Sequence, residues 1–220
     1  MRQYPDPDRR RAIFIAKKLF AEDVYDMAAL EDLPFTFPEV QTILDGITVG
    51  GRKIEDHLII GCMADAWKTV IGAVQTDGWR VNKLMACELN GIVSKYDSLE
   101  PGAFRTGQVT ISGTSYQPPP ADELPERFQD ALDAFRSEKD VYERSFTLFL
   151  NIARSQYFWD GNKRTGRLLM CGELMSAGYP PVSVPAARKL EFNEKMIRFY
   201  ESGDTGEMLD FLFSMAGLKA

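Results

Sequence analysis

The residue types with the most chemical potential stand in one run, Gln156-Tyr157-Phe158-Trp159-Asp160-Gly161-Asn162-Lys163-Arg164-Thr165-Gly166-Arg167. Gly161 reaches backbone conformations that other residues avoid, and Asn162 tolerates the left-handed region. Successive N–H groups in a loop that opens a helix cradle an anion. Asp160 offers a hard oxygen suited to Mg²⁺, and Arg164 and Arg167, three apart, project to one side from the first helical turn. Cations at a helix N-terminus oppose its macrodipole, so this pair is locally unfavourable unless an anion compensates it. A phosphate answers that description; the plainer alternative is a turn whose arginines pair with surface carboxylates. A single histidine, His57, excludes a serine triad, a cysteine–histidine dyad and a multi-histidine metal site. Cys62, Cys87 and Cys171 are odd in number and far apart, which gives no disulfide framework and suits a reducing cytoplasm.

Such a loop needs a rigid frame, and 220 residues at 45% hydrophobic and 26% charged suffice for one core. The 26 basic and 32 acidic side chains give a net charge of −6, which argues against direct nucleic-acid binding. No apolar run reaches the roughly 18 residues of a membrane span, and the N-terminus is charged rather than signal-like, so a soluble chain is expected. Apolar spacing predicts helices over residues 9–28, 54–74, 81–95, 121–135, 142–157, 168–177, 190–200 and 207–217, and Thr36 caps another through Glu39, Ile43 and Leu44. The stretch 142–157 is apolar on every side, with Phe146, Phe149 and Leu150 on one face and Leu148 and Ile152 on the other, which places it at the centre of a bundle. Between Pro101 and Pro120, β-branched residues flank Gly113 and predict a small hairpin inserted between helices. The expected fold class is mainly α, a single domain over 1–220 with a β-hairpin flap at about 105–120.

The central run resembles the signature of the Fic/Doc (Fido) family, His-x-Phe-x-[Asp/Glu]-Gly-Asn-x-Arg-x-x-Arg. Phe158, Asp160, Gly161, Asn162, Arg164 and Arg167 match it, and Gln156 stands in place of the histidine. The stretches 107–113 and 116–120 look like the family's flap, Thr48 to Gly51 with Asp56, His57 and Leu58 looks like the entry to the first long core helix, and Ala29 to Thr36 looks like the inhibitory-helix segment, within about residues 20–45. The resemblance implies a Fic-fold bundle that binds ATP with Mg²⁺ and transfers AMP to a hydroxyl side chain of a target protein. In that reading Asp160 holds the Mg²⁺, Gly161 and Asn162 form the anion hole beside Lys163, Arg164 and Arg167 meet the β- and γ-phosphates, and Phe158 anchors the loop. Thr110, Ile111, Ser112, Gly113 and Tyr116 would dock the target by strand addition. Glu31 matches the glutamate of the inhibitory motif [Ser/Thr]-x-x-x-Glu-[Gly/Asn], with Met27 and Asp32 departing from it, and would pair with Arg167 and displace the γ-phosphate. Relatives often self-associate, so a homo-oligomer is part of the expectation.

Two departures bear on activity. The family histidine takes the proton of the attacking hydroxyl; glutamine has no titratable group, and general-base catalysis is worth about 10² to 10⁴ in rate. Tyr157, a phenol with pKa near 10, is no substitute, and His57 belongs to another helix. Standard AMP transfer is therefore expected to be weak or lost. Lys163 stands where AMP-transferring relatives have glycine and Doc-type kinases have lysine. That opens Doc-like phosphoryl transfer as an alternative, alongside a non-catalytic module that binds a nucleotide or peptide.

Overall fold

The helical spacing translates into ten α-helices in the computed structural model, which describes residues 4–218: α1 (Arg9–Lys18), α2 (Phe20–Leu30), α3 (Phe37–Leu44), α4 (Ile54–Gln75), α5 (Lys83–Val93), α6 (Leu124–Ser137), α7 (Val141–Ser155), α8 (Asn162–Ser176), α9 (Lys189–Ser202) and α10 (Gly206–Met215). Local chemistry sets several starts. Thr36 and Glu39 form a capping box on α3, and Asp140 accepts the N–H groups of Tyr142 and Glu143 at the head of α7.

The helix expected at the centre is there. Phe146, Phe149, Leu150, Ile152 and Ala153 of α7 are fully buried, and α7 packs along α8, with α4, α5, α6 and α10 around the pair. Gly166 allows the close approach of these two helices: a Cβ there would lie 3.0 Å from the Phe149 ring and 3.1 Å from its carbonyl oxygen. α4 is long and apolar enough by composition to cross a membrane, although it holds no unbroken apolar run of that length. Half of its most apolar stretch is buried, and it packs against α2, α5 and α8, as a core helix does.

Three expectations are corrected. The predicted 9–28 helix breaks at Leu19 and continues to Leu30, which lets α2 turn its own apolar face, Val24, Met27 and Ala28, into the core. α8 starts at Asn162, six residues earlier than its apolar spacing suggested, because its first turn is buried polar residues. The flap is not a β-hairpin: residues 105–120 carry no strand, and the single isolated bridge among the described residues joins Phe104 to Phe158. Pro118, Pro119 and Pro120 have no N–H for a ladder. Side chains take the carbonyls instead: Gln108 Nε2 donates to Pro118 O at 2.8 Å, and Arg105 reaches Gly107 O and Pro119 O. The flap tip, Gly113 (φ +84°), lies over Ile197 of α9, and Tyr116 sits under the Arg154 guanidinium at 4.0 Å.

Candidate functional site

The loop between α7 and α8 is held by side chains from distant elements. Gln156 leaves α7 in the left-handed conformation (φ 51°, ψ 59°), and Gly161 (φ 73°) opens α8. A Cβ at Gly161 would also come within 2.9 Å of the Ser94 Cβ. The buried Asn162 amide accepts the Phe158 N–H at 2.9 Å and donates to Phe158 O at 2.8 Å and Gln156 Oε1 at 3.1 Å. Its side chain staples the loop, and its backbone stays in the first turn of α8, where no side chain caps the helix. Phe158 is fully buried, edge-on to Phe104, as an anchor should be.

Two supports were not singled out from the sequence. Asn90 of α5, fully buried, donates to Asp160 O at 2.9 Å and Thr165 Oγ1 at 3.2 Å and accepts the Gly102 N–H at 2.9 Å. Arg105, 1% exposed, donates to the carbonyls of Gln156, Gly107 and Pro119 at 2.5–2.6 Å, while its own N–H donates to Tyr157 O. It ties the root of the flap to the loop. Neither stands out locally, since Arg105 is followed by Thr106, Gly107 and Gln108, and Glu88 stands two residues before Asn90.

The charges converge. Arg164, 3% exposed, donates to Val93 O at 2.9 Å and pairs with Asp97 at 2.7 Å and Asp160 at 2.8 Å. Arg167 Nη2 lies 3.3 Å from Glu31 Oε1, an oxygen that is also 3.8 Å from Lys163 Nζ, and Glu31 Oε2 is 3.9 Å from Arg164 Nε. Burial opposes the Glu31 carboxylate, but Lys163, Arg164 and Arg167 together outweigh it and hold its pKa below the ordinary glutamate value. Burial pulls the Arg167 pKa down against Glu31, whereas for Arg164 the facing carboxylates Glu31, Asp97 and Asp160 overcome burial and raise it. The arginines thus do pair with carboxylates, though partly buried ones drawn from α2, the end of α5 and the loop. The Nε atoms of both arginines are buried without a hydrogen-bond partner.

Above this cluster is a cavity of 140 Å³ lined by Glu31, Thr110, Gln156, Trp159, Asp160, Gly161, Asn162 and Lys163. Of the flap residues expected at the site, only Thr110 lines it. Ile111 packs on the core, Ser112 is exposed, and Gly113 and Tyr116 lean on α9 and Arg154. Trp159, a lining residue missed from the sequence, sits so close to the flap that a Cβ at Gly107 would lie 2.7 Å from its ring. The Gln156 amide is fixed, donating from Nε2 to Ala153 O at 2.6 Å while Oε1 accepts from Asn162. Tyr157 donates to Asn151 Oδ1, and burial pushes its pKa up to about 12. His57 accepts the Val49 N–H on Nε2 and so carries its proton on Nδ1, which faces Lys53 O; it lines a separate groove between α4 and α5.

The Fic/DOC family model matches residues 81–174. Protein adenylyltransferase Fic of Drosophila willistoni is 29% identical over 201 residues, covering 89% of this chain and 39% of that protein, and its counterpart in Drosophila mojavensis is 26% identical with the same coverage. The chain spans about two fifths of the length of these relatives. Among solved structures, Fic-1 from C. elegans superposes with a TM-score of 0.79 at 22% identity, covering 94% of this chain and 62% of that one. A Fic domain containing signaling protein from Bacteroides thetaiotaomicron gives 0.78 at 17% identity, with coverages of 96% and 87%. The helical frame is the Fic fold, and the loop 156–167 lies inside the segment that the Fic/DOC family model matches.

Proposed function

We propose that the loop 160–167 binds the phosphates of ATP and that the chain is a Fic-type nucleotidyltransferase whose transfer of AMP to a target hydroxyl is slowed by Gln156 and held back further by Glu31. One observation carries this reading. Two buried guanidinium groups and Lys163 gather at the uncapped start of α8; Asp97 and Asp160 pair with Arg164, while the carboxylate facing Arg167 and Lys163 is Glu31, delivered by the distant C-cap of α2. A phosphate offers the same charge and more acceptors. With Glu31 in place the 140 Å³ cavity is below the roughly 300 Å³ of ordinary small-molecule clefts, so a triphosphate seats fully only when Glu31 leaves.

Mg²⁺ suits this lining. It needs one or two carboxylates beside phosphate and water oxygens, and Asp160 supplies a half-exposed carboxylate at the cavity wall, although Arg164 shares one of its oxygens. When bound, the ion would neutralise phosphate charge. In AMP transfer the target oxygen bonds to the α-phosphorus, the bond to the bridging oxygen breaks, pyrophosphate leaves, and the hydroxyl proton requires a base. Gln156 occupies the position of that base with both amide groups engaged, so it orients without titrating. Its loss of about 10² to 10⁴ in rate leaves positioning and phosphate electrostatics. The target's segment would approach along residues 110–116, where the backbone has no ladder partner.

Phosphoryl transfer is the second reading, favoured by the Lys163 ammonium in the cavity wall. Incubation with α- or γ-labelled ATP, Mg²⁺ and a lysate separates the two, against a Gln156→Ala, Arg167→Ala control. Transfer of the α-label is expected for AMP transfer, and of the γ-label alone for the second reading. Binding in calorimetry with no transfer of either label leaves a binding module. Absence of ATP binding even after Glu31→Gly overturns the proposal.

A further inference from the structure

Glu31 holds its arginine loosely. Its distances to Arg167, Lys163 and Arg164 are 3.3, 3.8 and 3.9 Å, long beside the roughly 2.8 Å of a well-made charged hydrogen bond. The backbone that presents Glu31 has shorter contacts. Lys189, the first residue of α9, donates its ammonium to Ala29 O at 2.5 Å and to Asp32 Oδ1 at 2.6 Å, acceptors that bracket Glu31 in sequence. The Ala29 carbonyl belongs to the last turn of α2, where it accepts the Asp32 N–H at 3.2 Å and the helix dipole is negative, a favourable seat for a lysine. Asp32 has φ +60°, a conformation a non-glycine residue holds at a cost. One turn earlier Asp26 accepts the Ala186 N–H at 2.8 Å and the Ser183 hydroxyl at 3.1 Å, so the segment leading into α9 is tied to α2 twice.

We propose that Lys189 is a clasp, a positioning residue that keeps Glu31 on Arg167 by fixing the 29–32 turn. The inference rests on the reading that Glu31 blocks the phosphate site. Met27, Ala28 and Leu30 are buried, so the body of α2 stays put and the turn after it is the part able to open. Asp32, which departs from the small residue of the inhibitory motif, gains a role as the anionic half of the clasp. Its 86% exposure makes the pair a weak one that solvent and salt undo readily.

ATP affinity measured by calorimetry tests this on the full chain. Lys189→Met is expected to tighten the Kd by about fivefold, the scale of a partly exposed ion pair together with one charged hydrogen bond. Mere loss of a positive charge near a triphosphate would weaken binding instead. Asp32→Asn, which keeps a residue tolerant of positive φ, should tighten binding in the same direction by less, and Lys189→Arg should stay within about twofold of the parent. In a Glu31→Gly background Lys189→Met should have no effect. An unchanged Kd in both Lys189→Met and Asp32→Asn, while Glu31→Gly tightens binding, overturns the clasp and leaves the block by Glu31 standing. Equal tightening with and without Glu31 also overturns it, because Lys189 would then act by another route. No gain from Glu31→Gly itself removes the reading beneath the clasp.

Discussion

Arg105, at the root of the flap, and Arg167, in the first turns of α8, are both buried guanidinium groups, and the fold treats them in opposite ways. Arg105 donates through all three nitrogens to main-chain carbonyls on both sides of the joint between flap and loop. Those acceptors are part of the backbone and nothing in solution displaces them. Arg167 has one long contact to a side-chain carboxylate and a buried Nε with no partner. Arg164 lies between the two, one nitrogen on Val93 O and the rest shared among Asp97, Asp160 and Glu31. A buried arginine saturated by carbonyls is a bolt; one balanced by carboxylates keeps a seat that another anion can take.

The largest test of this contrast is a pair of substitutions. Arg105→Ala leaves several buried carbonyls without donors and is expected to cost about 3 kcal/mol or more in urea unfolding. Arg167→Ala should cost less than half of that yet weaken ATP binding at least about tenfold, the loss of one charged contact. Equal destabilisation by both would break the comparison. Next in size, Gln156→His in a Glu31→Gly background should raise AMP transfer about 10²-fold, with a rate that climbs as pH passes through roughly 6.5, if the missing base is the main defect. No gain would shift the blame to Lys163 or the flap.

A third test concerns Asp23, which lines a small cavity with Arg167, Trp67 and Cys171. Burial, reinforced by Asp26 and Glu22, pushes its pKa up to about 8. A carboxyl with a raised pKa keeps its proton in the folded state after the unfolded chain has lost it. Stability therefore falls as pH rises from about 4 to about 8 and levels off above. Asp23→Asn should remove that slope and be the more stable form at pH 8 by an amount on the order of 2 kcal/mol, read from unfolding at pH 5 and pH 8. A parent with no slope in that window would mean that Asp23 is ionised and serves Arg167 as a second carboxylate. The smallest effect belongs to Lys163→Ala, a half-exposed cation 3.8 Å from Glu31, for which a stability change within about 0.5 kcal/mol is expected. Its consequence should appear in the ratio of α- to γ-label transferred.

Helix positions, the capping box at Thr36 and the central place of α7 were legible because each is a pattern within a few residues. The flap was misread for the complementary reason. β-branched residues around Gly113 suit extended backbone, but a ladder needs free carbonyls and N–H groups opposite one another. Here prolines and the side chains of Arg105 and Gln108 had already taken those positions. Asn90, Arg105 and Asp97 escaped notice because they act across 50 to 70 residues of sequence, beyond any local spacing. The three loop contacts of the Asn162 side chain depend on the left-handed turn at Gln156, which the residue types alone do not reveal.

The sequence by itself determined that one carboxylate, Asp160, and three cations, Lys163, Arg164 and Arg167, are crowded around Gly161 in a single short run. It also determined that no imidazole stands at position 156. The family resemblance pointed to Glu31 as the partner of Arg167, but only the tertiary structure decided that its carboxylate also faces Lys163 and Arg164, and that Arg164 pairs more closely with Asp97 and Asp160. The place of Glu31 follows from α2 being seated on α4 and on the turn at 186–188, which brings a carboxylate 136 residues away in sequence up to Arg167. Buried charges settle on whatever opposite charge the packing delivers within about 4 Å, and spacing along the chain carries no record of that.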